Sequence, residues 1–223
     1  MTTRRPSRLG ALAGLLLLAS PAMAQDEGGF GRGAPGVFDF YVLALSWSPT
    51  YCETASRRDD RQCAPGRGLG FVLHGLWPQY ARGFPSNCSA FERPITRQAM
   101  EVAGQVYPAE GLARYEWRKH GTCSGLDPAA YFSAARNARA AIAIPDAFKK
   151  PTTDARFAAT DIVRQFVAAN EGLRADMMAV ACTGNALQEV RICFTKDLRG
   201  FTPCPEVVRR SCRSQDITVD AAR

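Results

Sequence analysis

A chain of 223 residues with 46% hydrophobic and 22% charged positions has the makeup of a globular protein of one domain, or at most two, and excludes a globally disordered chain. Its net charge of +7 includes three arginines and no acids from residues 1–24, so the chain without them carries +4. That mildly basic balance is compatible with an anionic partner but is weak by itself, because many secreted proteins are as basic.

Residues 1–24 read as a secretory signal peptide. Arg4, Arg5 and Arg8 form a basic start, Leu9 to Ala19 is a short apolar core, and Ala22-Met23-Ala24 has the small-x-small form of a cleavage site. Cleavage after Ala24 and export, to the periplasm or the medium, are therefore expected. No other run is apolar enough to cross a membrane. Residues 25–36, rich in glycine, read as a flexible tail, which leaves 37–223 as a single domain. Eight cysteines in an exported chain read as four disulfides, although they allow 105 pairings. No tight Cys-x-x-Cys pair and no His-Glu-x-x-His helix argues for metal, so none is expected.

Within the domain, Phe38 to Trp47 alternates aromatic and aliphatic residues as a buried strand does, and Pro49 is expected to stop regular structure. Cys52 to Gly68 is a charged loop. Leu69 to Leu76 is a second apolar strand with His74 near its end, closed by Pro78. Tyr80 to Pro94 reads as loop, Ile95 to Val106 as a helix, and the stretch after Gly111 as a second helix carrying Glu116, Lys119 and His120. Asp127-Pro128 starts an alanine-rich helix, and Asp154 to Ala169 makes another, with Ile162, Phe166 and Val167 inward. Met177 to Cys182 and Leu187 to Phe194 are strands joined by a turn, and the C-terminal part reads as irregular. Strands at both ends with helices between them predict an α+β fold: a central antiparallel sheet flanked by helices and stapled by disulfides.

The chain holds two histidines, and each sits beside a glycine in an apolar-aromatic setting. On a helix Glu116 and His120 share a face, with Lys119 adjacent. A carboxylate, an ammonium and an imidazole at one spot suit a reaction at phosphorus, where charge builds on non-bridging oxygens while a proton moves near neutral pH. Taken alone, the same residues read better as an exposed Glu–His pair with a solvated lysine, and His74 and Trp77 as packing residues.

The stretches His74-Gly75-Leu76-Trp77-Pro78 and Glu116-Trp117-Arg118-Lys119-His120-Gly121-Thr122-Cys123 resemble the two active-site segments of the ribonuclease T2 family, in the expected order. Ser46-Trp47-Ser48-Pro49-Thr50-Tyr51-Cys52 is similar to that family's first strand end, and the resemblance extends over roughly Val37 to Cys212. It implies a ribonuclease of the exported bacterial kind, acting on single-stranded RNA with little base specificity and without metal or other cofactor. His120 would be the general base for the ribose 2′-hydroxyl and His74 the general acid for the departing 5′-oxygen. Glu116 and Lys119 would stabilise the phosphorane-like state on the way to a 2′,3′-cyclic phosphate and then a 3′-phosphate. DNA, lacking the hydroxyl, would not be cleaved.

The resemblance also implies substrate contacts at Trp77, Gln79, Tyr115 and Trp47. Trp77 would stack on a base. Gln79 stands where some members have aspartate, and its amide donates as well as accepts, so no adenine preference follows. Tyr115 stands where some members have a third histidine and cannot supply that cation. The implied disulfides are Cys88–Cys123, Cys182–Cys212 around Cys193–Cys204, and Cys52–Cys63. A monomer is the default. The rival expectations are a catalytically silent homologue that binds RNA or a protein, and a metal-dependent nuclease.

Overall fold

The computed structural model describes residues 33–54, 61–89 and 94–222 together with Met1. The expected signal peptide and residues 25–32 of the expected tail lie outside the described residues. Strand β1 (Phe40–Trp47) is the spine of a six-stranded sheet, antiparallel to β2 (Phe71–Gln79) on one side and to β5 (Ala186–Thr195) on the other. Strand β4 (Met178–Thr183) pairs with β5 through the hairpin turn expected there. Two short strands, β3 (Ala155–Phe157) and β6 (Ile217–Val219), extend the sheet, β6 meeting β5 in a single parallel pair, Ala186 with Thr218.

Because β1 is central, both of its faces are covered, which is why it reads as a nearly continuous apolar run. Tyr41, Leu43, Leu45 and Trp47 face the main core, while Phe40 and Val42 face a smaller cluster with Ala179, Cys193, Cys204 and Val207. After the short helix α1 (Ser48–Thr54), four helices cover the main face: α2 (Arg97–Gly104), α3 (Glu110–Lys119), α4 (Pro128–Ala140) and α5 (Ala159–Ala169). Asp127 caps α4 by accepting from the Ala130 N–H at 2.9 Å, as the Asp-Pro pair predicts. Phe132, Phe148, Ile162 and Phe166 are fully buried, each contributing about 1.5–3 kcal/mol of apolar burial.

Four expectations are corrected. Pro49 does not end regular structure; it lies in the first turn of a short helix (Ser48–Thr54), where a missing N–H leaves no helical bond unmade. Pro78 does not end β2 but lies inside it, because β2 is the edge strand and tolerates a residue that cannot donate. The segment from Asp154 divides, its first residues pairing as β3 with β6 before α5 begins. The C-terminal part is not irregular throughout, since it holds β6 and a short helix (Pro205–Arg209). The bridges are Cys52–Cys63, Cys88–Cys123, Cys182–Cys212 and Cys193–Cys204, the pairing the resemblance implies.

Candidate active site

Strand β2 carries an irregularity at the point where it matters. Ala44 pairs with Gly75 and Leu45 with Leu73, so His74 is an extra residue, a β-bulge. The bulge reverses the alternation. Phe71 and Leu73 point into the core before it and Leu76 after it, which leaves His74 and Trp77 on the same outer face, ring centroids 5.1 Å apart. Gly75 between them has no room for a side chain: a Cβ there would overlap the Glu116 carboxylate and the Trp77 indole.

Helix α3 supplies the second half. Its buried face, Ala113, Glu116 and Trp117, packs towards β2. The helix ends at Lys119, and His120 leaves helical geometry with φ −120°, though its N–H still donates to Glu116 O at 2.9 Å. The expected one-turn stacking of Glu116 and His120 therefore survives at the helix end, with the Cys88–Cys123 bridge anchoring the turn that follows.

These elements bring His74, Glu116, Lys119, His120 and Trp77 to one cleft of about 380 Å³. The Trp77 indole N–H donates to Glu116 Oε2 at 2.7 Å, and Glu116 Oε1 lies 3.7 Å from His74 Nε2. The His120 ring centroid lies 5.3 Å from that of Trp77 at an interplanar angle of 30°, and 6.1 Å from that of Phe84. The ammonium of Lys119 donates to the Tyr115 hydroxyl at 2.9 Å. Gln79 is buried in the cleft wall, its amide N–H donating to Pro78 O at 2.9 Å. Trp47 is a correction: it is fully buried, packs on Phe71 and Phe148, and donates its indole N–H to Asp220 O, so it cannot meet a substrate. The core-facing parity of β1 puts it there.

Glu189 was absent from the expected site. This β5 carboxylate, 3% exposed, has Oε2 at 2.6 Å from His74 Nδ1 and accepts from Arg191 Nε on Oε1 at 2.7 Å. Arg191 in turn lies over the Trp77 ring at 5.5 Å. The available signal was the alternation of Glu189 and Arg191 with Val190 and Ile192, which marks one charged face on a buried strand. Phe84, which also lines the cleft, carried no signal beyond its loop position.

The two imidazoles sit in opposite environments. Burial pulls the His74 pKa down, but the hydrogen bond and charge of Glu189, followed by Glu116, outweigh it and raise the pKa above its ordinary value. Burial, then the charges of Lys119 and His74, push His120 down to about 3. Its Nδ1 meets no hydrogen-bond partner among the described residues. For Glu116, burial raises the carboxyl to about 7 against the lowering pull of His74, Trp77 and Lys119. Burial would also raise Glu189, but His74 and Arg191 together hold it below the usual range. Near pH 6 the cleft thus presents one protonated imidazole, one neutral imidazole, an ammonium and a largely un-ionised carboxyl. Among the described residues no group of three or more His, Cys, Asp or Glu is placed to hold a metal ion.

The chain is similar to several known ribonucleases. A ribonuclease from Aeromonas hydrophila is 56% identical over 96 residues, 43% of this chain and 42% of its own length. Ribonuclease I of Escherichia coli K12 is 30% identical over 137 residues, 44% of this chain and 51% of its own. The chain thus spans about half the length of these curated relatives. Ribonuclease 1 of Arabidopsis thaliana is 27% identical over 202 residues, 80% and 85% of the two chains. Among solved structures, trichomaglin, described as an S-like ribonuclease, shares the fold with a TM-score of 0.64 at 21% identity, over 83% of this chain and 99% of its own. An RNase-related protein from Calystegia sepium does so with a TM-score of 0.63 at 22% identity, over 83% and 98%. The profile of the Ribonuclease T2 family matches residues 38–204, a span that holds both histidine segments, and the chain belongs to that family.

Proposed function

We propose that this chain is an exported endoribonuclease that cleaves single-stranded RNA by transphosphorylation, with little base specificity and no metal in the reaction. The observation that carries the reading is the placement of both histidines on one cleft, where the Glu189 carboxylate raises the pKa of His74 and burial lowers that of His120. The neutral His120 takes the proton of the ribose 2′-hydroxyl as O2′ attacks phosphorus. Protonated His74 gives its Nε2 proton to the departing O5′. The products are a 2′,3′-cyclic phosphate and a 5′-hydroxyl. In a second step water attacks the cyclic ester with the two roles exchanged, leaving a 3′-phosphate.

Charge on the non-bridging oxygens is met by Lys119 and by Glu116. An ionised carboxylate would repel a phosphorane; a carboxyl whose pKa stands near 7 can instead act in its acid form, donating from Oε1 while Oε2 is occupied by Trp77. Trp77 and Phe84 offer aromatic faces to a base, and stacking tolerates any base. DNA, without the attacking hydroxyl, stays intact. Residues 1–24 direct export, and four disulfides suit an oxidising compartment.

The test uses the mature protein, a short RNA and excess chelator, with products followed by phosphorus NMR. A 2′,3′-cyclic phosphate signal that gives way to a 3′-phosphate is expected. Intact RNA would overturn the reading in favour of a silent RNA- or protein-binding homologue, and cleavage restored only by a divalent ion would make the enzyme metal-dependent.

A further inference from the structure

We propose that Glu189 is a positioning residue that holds the His74 ring by Nδ1, so that Nε2 is presented to the leaving oxygen of the substrate. The proposal rests on the reading of His74 as general acid. An imidazole at a bulge, with its side chain 34% exposed, has two nitrogens and a ring free to turn, and either could face the cleft. An acceptor fixed at Nδ1 settles both the rotation and the tautomer.

Glu189 is built for that task. It stands 115 residues from His74 in sequence but only one strand away in the sheet, since Ser46 of β1 pairs with Val72 on one side and with Glu189 on the other. Its carboxylate is held by donors from three strands: His74 Nδ1 at 2.6 Å, Arg191 Nε at 2.7 Å and Ser46 Oγ at 3.4 Å. A carboxylate fixed in this way cannot follow the ring; the ring must follow it. Glu189 does not line the catalytic cleft, so its effect on the reaction passes through His74. The opposite nitrogen, Nε2, lies 3.7 Å from Glu116 Oε1, on the side of the ring where both residues line the cleft. The charged groups facing His74 are therefore Glu116 from α3 and Glu189 with Arg191 from β5. His120 has no such partner at its own Nδ1 among the described residues.

Glu189→Gln keeps the shape and removes the charge. On a dinucleoside phosphate it is expected to lower kcat roughly 10- to 100-fold with KM within about twofold, and to move the alkaline limb of the pH profile to lower pH. On a ribonucleoside 3′-(4-nitrophenyl) phosphate, whose leaving group departs without a proton, the loss should disappear. An equal loss on both substrates with an unmoved limb, or no loss on either, overturns the proposal. His74→Ala on the same two substrates tests the reading beneath it: full activity on the dinucleoside phosphate would remove His74 as acid. Should the Gln variant not fold, the wild-type protein decides. With two histidines in the chain, nitrogen-15 NMR above the His74 pKa resolves its tautomer: Nδ1–H is expected, and Nε2–H refutes the arrangement.

Discussion

Glu116 is 1% exposed, yet its carboxyl accepts one hydrogen bond, from Trp77, and burial raises it from 4.5 to about 7. Between those two values the folded protein keeps a proton that the unfolded chain releases, so stability falls as pH rises through 7. Glu116→Gln removes that dependence. It should gain on wild type by about 3 kcal/mol on going from pH 4 to pH 8, a relative Tm shift of roughly 5 °C or more in thermal denaturation. A Tm difference that does not change with pH would contradict the buried-acid account. His120 works in the other direction: its pKa is lowered from 6.5 to about 3, so its contribution is intact above 6.5 and is lost as pH falls towards 3. The same two directions set the rate profile. Activity needs neutral His120 and protonated His74, so the acid limb of kcat/KM should fall well below pH 6.5 and the alkaline limb above it. An acid limb near 6.5, measured on a dinucleotide, would remove His120 as the base. Of these residues, the two histidines, Glu116 and Lys119 could be read from contiguous motifs. Glu189 could not, because its partner is supplied by a strand pairing 115 residues away. Trp47 was misplaced for a related reason: its side of the strand is decided by packing rather than by its own chemistry.

The elements that hold the site are a bulged edge strand and a short helix end, and neither is stable by itself. The Cys88–Cys123 bridge joins the loop after β2 to the turn after His120 and closes 35 residues, worth about 4 kcal/mol by chain entropy. The Cys52–Cys63 bridge closes 11 residues away from the cleft, worth about 3 kcal/mol. Replacing either pair by serine should lower stability in urea denaturation by similar amounts. The kinetics should separate them: loss of Cys88–Cys123 lets His120 drift from Trp77 and lowers kcat, while loss of Cys52–Cys63 leaves kcat unchanged in the folded fraction. Equal kcat in both variants would show that the bridge stabilises without positioning. Element type was legible where the local signal was strong, as in the apolar runs of β1 and β5 and the Asp-Pro start of α4. It was lost where context decides: Pro78 lies within a strand because that strand is at an edge, and β3 exists because β6, some sixty residues on, pairs with it. The bulge at His74 was equally invisible, since it is a property of the pairing between β1 and β2.

At the scale of the molecule, the α+β class followed from strands lying at both ends of the chain, while the order of the sheet came only with the long-range pairings. The same long-range character governs stability. Four bridges close segments of 11, 35, 30 and 11 residues, and at about 3–4 kcal/mol each they together match or exceed the 5–15 kcal/mol by which a domain is usually stable. A fully reduced chain should therefore lie near or beyond its unfolding threshold. In a reducing compartment the enzyme would be held inactive by its own unfolding, and an oxidising one would switch it on. The chain without residues 1–24 should thus be soluble and active when made in an oxidising compartment, and unfolded when made in a reducing one. Thiol counting, circular dichroism and RNA cleavage on the two preparations decide the matter. An active, folded protein with eight free thiols would show that the apolar core alone sustains the fold and that the bridges serve only to tune it.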